Sequence, residues 1–485
     1  MTRFFVCGLC PLPFENTTRS FGPGIRTWQM ARVLADAGHD VHLLAMCIPG
    51  AYGEGEQPAD GVVEGVQIER IEAEEFFQLD AIRRRLDAFQ PEAVVGATMY
   101  GSYILGNQWP QVPFWADQFG DVMAEGQAKA FLDESNWAVA HFWNILEPIL
   151  HRCDRLSVVS ERQRWAAVGQ LGAMGRLVHE TCGYEFTSVM PCALIPAEPV
   201  TPKPMLRGST MPDDAFVALW SGGYNVWSDV ETLFRGVEQA MAADPRIHFV
   251  STGGEIGGHD EATYRHFEEA IAASTFRDRF HLQGWIKAEL VPHFQAEADV
   301  GVLCERPLYE GQLGSKNRIV QWLGGGLPVI YNRVGDLGEL LEERDIGWTF
   351  PQGDSDAFAD RLLAAAAADG DPSSSVLDEM IERGRRYALG ELTFEATTRE
   401  LVAWANEPTR APDAHWRETV VRPRDFSSEA MPTSEVGPVE AVAEDSPLDA
   451  AAQPAATSEP TDASEAPRPS LLRRAARKVL RTIRG

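Results

Sequence analysis

The 485-residue sequence predicts an α/β protein made of two doubly wound domains with parallel sheets. Three observations predict it. Short apolar runs alternate with amphipathic helical stretches from residue 3 onward, the βαβ pattern of parallel strands joined by right-handed crossovers. One proline-rich stretch, residues 191–213 (PCALIPAEPVTPKPMLRGSTMPD), interrupts the alternation before it restarts. Glycine-rich turns lie where strands hand over to helices, positions at which backbone can approach a ligand closely.

Residues 1–190 form the first expected domain. Arg3 to Cys10 (RFFVCGLC) reads as a buried strand. A polar loop carrying Gly22 and Gly24 leads into the amphipathic helix IRTWQMARVLADAG, with Arg26 in its first turn, and then the strand DVHLLAM. Helix Leu79–Phe89 and strand Ala93–Ala97 continue the pattern, followed by strand Val112–Gln118. Asp117 and Asp121 lie at the carboxyl end of that strand, where doubly wound sheets bind ligands. They either face a cleft or cap helices. Helix Asn136–Arg152, strand Arg155–Ser160 and helix Glu161–Leu171 close the domain.

Residues 191–393 form the second. Strand Phe216–Trp220 runs into Ser221-Gly222-Gly223-Tyr224-Asn225, then helix Val230–Ala242 and strand His248–Thr252 with Gly253 and Gly254 at its end. Strand Phe280–Gln283, helix Ala288–Ala296 and strand Ala298–Leu303 follow. The stretch from Glu305 to Asn332 (ERPLYEGQLGSKNRIVQWLGGGLPVIYN) organises the rest. Gly311 and Gly314 loosen a loop, Ser315 is placed to cap a helix with Ile319, Val320, Trp322 and Leu323 on its apolar face, and Gly324 to Gly326 end it before strand Leu327–Tyr331. A helix N-terminus behind a glycine loop is an anion seat, because unpaired amides and the helix dipole point at it. Lys316 and Arg318 add positive charge, so the inferred anion is a phosphate or pyrophosphate. An ordinary loop–helix–strand unit of a sheet is the competing reading.

This stretch resembles the donor-site segment of GT-B glycosyltransferases, especially the large retaining family with many bacterial lipopolysaccharide and mannosyl transferases. That family shows a Glu, seven residues, a second Glu, a small-residue turn and a Pro-Val strand. Tyr309-Glu310-Gly311 resembles its beginning and Trp322 to Val329 its end, but Gln321 stands in place of the second Glu and three extra residues intervene. The segment GPGIRTWQMARVLADAGHDVHLL resembles the first glycine loop and helix of the same fold. LWSGGYNVWSDVETLFRG stands where relatives carry a glycine and phosphate-binding basic residues, which are missing here. Many relatives have a His near Asp117, where this chain has Phe119.

The resemblance covers roughly residues 1–406, and residues 394–406 (FEATTRELVAWAN) resemble the helix that crosses back to the first domain. It implies two Rossmann-like domains facing across a cleft, and sugar transfer from a nucleotide-sugar to a glycan or lipid-linked acceptor. It further implies retention, with no metal and no cofactor beyond the nucleotide-sugar. Catalytic roles would fall to Lys316, Arg318, Glu310 and Asp117. The donor would be held by Gly22, Gly24, Gly222, Gly223, Asn225, Gly253, Gly254 and Gln321, with Arg26 and Asp121 on the acceptor side. Gln321 would hold the ribose, so Gln321→Glu is expected to be tolerated. A catalytically silent GT-B scaffold and a sugar-nucleotide epimerase are the alternatives.

Composition bounds the partners. The net charge of −28 (43 Lys and Arg against 71 Asp and Glu) argues against a nucleic-acid binder. Seven scattered cysteines point to reduced thiols in a cytosolic setting, and Cys7-Gly8-Leu9-Cys10 to a packed strand end rather than a redox or metal site. Residues 407–469 are expected to be a disordered acidic linker: Asp425 to Pro467 holds ten acids and no Lys or Arg. Residues 470–485 (SLLRRAARKVLRTIRG) then place Leu472, Ala476, Val479, Leu480 and Ile483 on one helical face amid six basic residues. This is a membrane-surface pattern, expected to hold the protein on the cytoplasmic face of the cell membrane. A nucleic-acid tail, or a helix docking on this protein's own acidic surface, would share the pattern.

Overall fold

The structure, a computed structural model, describes residues 1–419 except 16, 18–20, 54–56, 109, 197–200, 258 and 370–374. Fourteen strands form two sheets among these residues. In the first domain they are β1 (Arg3–Cys10), β2 (Asp40–Cys47), β3 (Gly61–Val63), β4 (Val66–Glu72), β5 (Ala93–Gly96), β6 (Phe114–Gln118), β7 (Arg155–Val158) and β8 (Thr187–Val189). In the second they are β9 (Phe216–Ser221), β10 (Ile247–Thr252), β11 (Phe280–Leu282), β12 (Val300–Leu303), β13 (Val329–Asn332) and β14 (Trp348–Phe350).

The first sheet runs β3-β4-β2-β1-β5-β6-β7-β8 and the second β11-β10-β9-β12-β13-β14. All neighbours pair in parallel except β3 and β4, an antiparallel edge hairpin. β1 sits in register with β2 from Arg3↔Asp40 to Cys10↔Cys47 and with β5 on its other side. Its apolar run is covered on both faces, as parallel strands require. One layer holds Phe5, Leu44, Ile104 and Leu146, and the other Phe4, Trp28, Leu34 and Trp115. Trp220, Phe249, Trp322 and Phe358 anchor the second domain's core. Strand order reverses between β1 and β5 and between β9 and β12. A doubly wound sheet opens a crevice at such points.

Several local expectations change. The edge strands β3 and β14, three residues each, and the partly exposed β4 beside β3 had no clear signal. The helix expected over Ala288–Ala296 is a 3-10 turn, Ala288–Leu290, followed by helix Val291–Glu297 with Pro292 in its first turn. The helix expected over Phe394–Asn406 is two, Phe394–Thr397 and Arg399–Asn406, broken at Thr398. Both return to the first domain, where the Trp404 ring lies 5.4 Å from Trp115 and 6.1 Å from Phe4. All seven cysteines are free thiols, and Cys7 and Cys10 are both buried in β1.

The ordered chain continues past residue 406, where a disordered linker was expected to begin. Ala411 joins the first-domain core, and helix Ala414–Thr419 follows. Asp413 pairs with Arg176, with Nη2 3.1 Å from Oδ1, and both side chains are fully buried. Arg417 pairs with Asp154 at 2.5 Å and donates to the Arg152 carbonyl at 2.6 Å. The acid-only composition starts later, at Asp425, whereas this strap carries both signs and matches them to fixed partners. Residues 420–485, including the expected membrane segment 470–485, lie outside the described residues.

The strap generates a stability prediction. Removing one partner of a buried pair leaves an uncompensated charge, at a cost of about 3–5 kcal/mol. Asp413→Ala, or a chain ending at Asn406, should therefore melt well below a chain ending at Thr419 in thermal or urea unfolding. Equal midpoints would show that the strap is not part of the fold.

Candidate functional site

The carboxyl ends of both sheets meet where two helix N-termini converge. Helix Gly22–Asp36 follows β1, and helix Asn317–Gly325 follows β12 and its loop. A Cβ built on Gly22 would sit 3.0 Å from Nδ2 of Asn317 and 3.6 Å from the Phe119 ring, so the two ends touch across the domain boundary. No side chain caps either terminus. Ser315, expected to cap the second helix, gives way to Lys316, an extended residue at φ −125° that makes no side-chain cap bond. Both ends present open amides and the positive pole of the helix dipole to one place.

Arg318 lies in the first turn of the second of these helices. Its Nη2 donates to the Gly223 carbonyl at 3.0 Å, and its guanidinium stacks 4.8 Å from the Trp220 ring. Nη1 is buried without a protein partner. Burial pulls the guanidinium down to about 10, against the pull of Glu305. Gly222 stands beside it at φ +87°, a conformation that favours glycine, and a Cβ there would lie 3.5 Å from Nη2.

Lys316 is differently placed. Its Nζ lies 2.9 Å from Glu305 Oε1 and 2.9–3.0 Å from both carboxylate oxygens of Glu310. Burial opposes its charge, but the two carboxylates outweigh that and hold the ammonium above its ordinary value. Tyr331 donates to Glu305 Oε2 at 2.5 Å. Lys316 is thus already neutralised, and the free positive charge expected of it falls to Arg318. Sequence reading named Glu310 but missed Glu305 and Tyr331, which lie 26 positions apart and meet only because β12 and β13 pair in parallel.

Two clasps join the domains. Lys129, on the first-domain helix Val122–Leu132, lies 2.9 Å from Nδ1 of His259 in the second domain. Burial first, then Lys129, pull His259 down to about 4, so its ring stays neutral and can accept. On the other side Ser160 Oγ donates to the Leu313 carbonyl at 2.6 Å, and the Glu161 amide to Asp336 at 2.6 Å. A cavity of about 160 Å³ lies there, lined by Ser160, Ser315, Asp336 and Tyr387 among others.

Several expected site residues have structural partners instead. Asp117 is fully buried in an ion pair with Arg26, with Nη2 2.7 Å from Oδ1, and also accepts from Ser157 Oγ at 2.6 Å and the Thr98 amide at 3.1 Å. Neither Asp117 nor Arg26 reaches the cleft surface. Asp121 caps helix Val122–Leu132 through the amides of Met123 and Ala124, the capping alternative. A Cβ at Gly24 would lie 1.8 Å from the Pro11 carbonyl, so that glycine serves backbone packing. The Gly222 amide donates to Thr252 and the Asn225 amide to Ser228, which leaves neither free for a phosphate. Gly253 lets its loop close on the Gly222 carbonyl, 2.0 Å from a built Cβ, while Gly254 lies against Tyr264 and Trp285.

Gln321 is a hinge residue. Its amide nitrogen donates to the Ala193 carbonyl at 2.9 Å, and its oxygen accepts from the Ile195 amide at 3.1 Å. Both ends hold the interdomain linker, so the groups expected to meet a ribose are engaged within the protein. Gln321→Glu loses the donor and sets a carboxylate against a carbonyl. It should cost about 1–3 kcal/mol, against the tolerance expected from resemblance. Unchanged stability of that variant in urea unfolding would remove the hinge assignment.

Comparison with known proteins bears on the fold and on the second domain. Residues 215–367 match the family described as glycosyl transferases group 1. The amylovoran biosynthesis glycosyltransferase AmsK of Erwinia amylovora is 29% identical over 109 residues, 22% of this chain. The match spans 27% of that relative's length. Among solved structures, sucrose-phosphate synthase from Thermosynechococcus elongatus superposes with a TM-score of 0.61 at 16% identity, covering 84% of this chain and 99% of the other. HepE of Anabaena, in complex with UDP and glucose, gives 0.58 at 13% identity, with 84% and 100% coverage. The two facing parallel sheets and these structural likenesses give the chain the GT-B fold, and residues 215–367 form a domain that matches the group 1 glycosyl transferases.

Proposed function

We propose that this chain moves a sugar from a UDP-sugar to a hydroxyl of a glycan or lipid-linked acceptor, with retention and without a divalent metal. The observation that carries the reading is the convergence of two uncapped helix N-termini on Arg318, whose Nη1 has no protein partner. In this reading the donor diphosphate sits beside the paired helix starts at Gly22 and Asn317. The open amides and Arg318 stabilise the charge that develops on the leaving diphosphate. Glu310 lies at the rim of the same site, near the sugar. The uridine nucleotide is favoured because HepE is solved with UDP and glucose, and a trehalose-phosphate synthase of the same fold, at 12% identity, is described as UDP-forming.

A catalytically silent nucleotide-sugar binder is the second reading. The buried Asp117 and the neutralised Lys316 favour it, since each removes a charged group expected in the cleft. Turnover of UDP-sugars with pooled acceptors, with and without a chelator, separates the two and tests metal independence.

Arg318→Ala should weaken UDP binding by about 1.5–3 kcal/mol per lost charged hydrogen bond. Calorimetry on the folded variant checks this, and unchanged affinity would overturn the donor site. A thermal-shift panel of UDP, GDP and TDP checks the base: UDP at 100 times its Kd should add about 2.7 kcal/mol.

Membrane attachment is the second part of the proposal. No helix among the described residues is long and apolar enough to cross a membrane. Attachment would come from residues 470–485, each basic residue near an anionic surface adding about 1 kcal/mol. Full-length protein should sediment with vesicles of anionic lipid at low salt and release as salt rises. A chain ending at Thr419, which keeps the buried strap, should stay in solution. Equal sedimentation of both would end the anchor reading.

A further inference from the structure

The last residues of β1 and β2 are both cysteines. Cys10 and Cys47 are paired in register, and parallel neighbours in register point to the same face. Both lie in one buried layer of the first-domain core, whereas Cys7 belongs to the opposite layer. Neighbouring strands are spaced about 4.8 Å apart, inside the Cα separation of about 4.4–6.8 Å that a disulfide spans. The two sulfurs are 3.6 Å apart, so the gap left to close is about 1.6 Å, to a bond of about 2.0 Å. Both residues end their strands, so closing that gap bends chain that is already leaving the sheet.

The two thiols are not equivalent. Gln57, an exposed residue, donates from Nε2 to the Cys47 sulfur at 3.1 Å. A donor on sulfur favours the thiolate, which is the nucleophilic form. The same contact places Cys47 just beneath the surface. The Cys10 thiol faces the Met46 carbonyl at 3.4 Å, an acceptor that keeps the proton on sulfur. Contact with Cys47 first, and burial second, hold that thiol above its ordinary value. Cys47 is therefore the sulfur that an oxidant meets first, with Cys10 behind it.

We propose that Cys10 and Cys47 are an oxidation site, which a peroxide converts to an intramolecular disulfide. The Cys47 sulfur attacks one oxygen of hydrogen peroxide. An S–O bond forms, the O–O bond breaks, and the displaced hydroxide leaves as water with the Cys47 proton. The Cys10 sulfur then attacks the sulfur of the Cys47 sulfenic acid. The S–S bond forms, the S–O bond breaks, and a second water carries off the Cys10 proton. The two thiols lose two electrons in all, and the peroxide is reduced to two waters. The new bond acts on the first helix. Cys10 leads into Pro11, whose carbonyl oxygen is 1.8 Å from a Cβ built on Gly24, so Pro11 has no slack against the first turn of helix Gly22–Asp36. Drawing Cys10 toward β2 moves Pro11 and loosens that turn.

Peroxide titration of the full-length protein, read by intact mass and peptide mapping, tests the site. Hydrogen peroxide should remove two hydrogens from the mass and yield a cross-linked peptide pair holding Cys10 and Cys47, which dithiothreitol reverses. In Cys10→Ala, Cys47 should stop at the sulfenic acid and take a dimedone tag. In Cys47→Ala, Cys10 should take none. The wild-type peptide map decides the site even where a variant does not fold. Oxidation confined to the exposed Cys182, or a cross-link between any other pair, overturns the proposal. Hydrogen exchange reads the coupling: the amides of Ile25 and Arg26 should exchange several-fold faster in the cross-linked protein than in the reduced one. A Cys10–Cys47 cross-link that leaves their exchange unchanged overturns the effect on the helix.

Discussion

The ion pair between Arg26 and Asp117 is the constraint on which the interdomain geometry depends. Asp117 ends β6 and also fixes Ser157 on β7 and the amide of Thr98, which follows β5. Thr98 is a β-branched residue at φ +64°, a strained conformation held at the point where strand order reverses. Arg26 meanwhile donates to Gln29 and to the Pro191 carbonyl of the linker, and Gln29 donates to Thr397 in the returning helices. One buried guanidinium thus ties the first glycine helix, the linker and the crossover to the sheet. The net stability of such a pair is small, because burying two charges is costly. What it adds is a fixed direction for helix Gly22–Asp36, and so for the N-terminus that meets Asn317.

Charge across the cleft follows a different logic. The loop after β9 has no basic residues, and its amides at Gly222 and Asn225 are closed by backbone and Ser228. Lys316 is held by two acids. In the proposed donor site that leaves a buried, aromatic-stacked guanidinium and two open helix termini to meet an anion. Helix termini bring no counter-charge that must be stripped of water, so they suit a sheltered site.

The alternation of apolar runs and amphipathic helices made the fold class legible, because both periods are local properties of the chain. Individual site residues were less legible. Asp117 and Asp121 look alike in sequence, two acids past the end of a strand, yet one is a buried counter-ion and the other a helix cap. Gln321 matched a family position but is engaged by the linker, whose path no local signal describes. Glu305 carried no signal of its own, since its partners Tyr331 and Lys316 arrive through strand pairing and loop closure. The strap at residues 407–419 was obscured by its neighbours: averaged with the acidic stretch beyond it, two matched ion pairs read as part of a tail.

The sequence by itself determined two parallel α/β domains, the proline-rich join between them and the helix start near residue 316. These follow from backbone propensity, apolar period and glycine placement within a few turns of chain. Tertiary structure alone decided which charges are free. An ion pair forms between residues as far apart as Arg26 and Asp117, or Arg176 and Asp413, only after the sheets have ordered, and a paired charge has lost its reach. The chemistry open to Arg318 and Glu310 was therefore set by which of their neighbours already had partners.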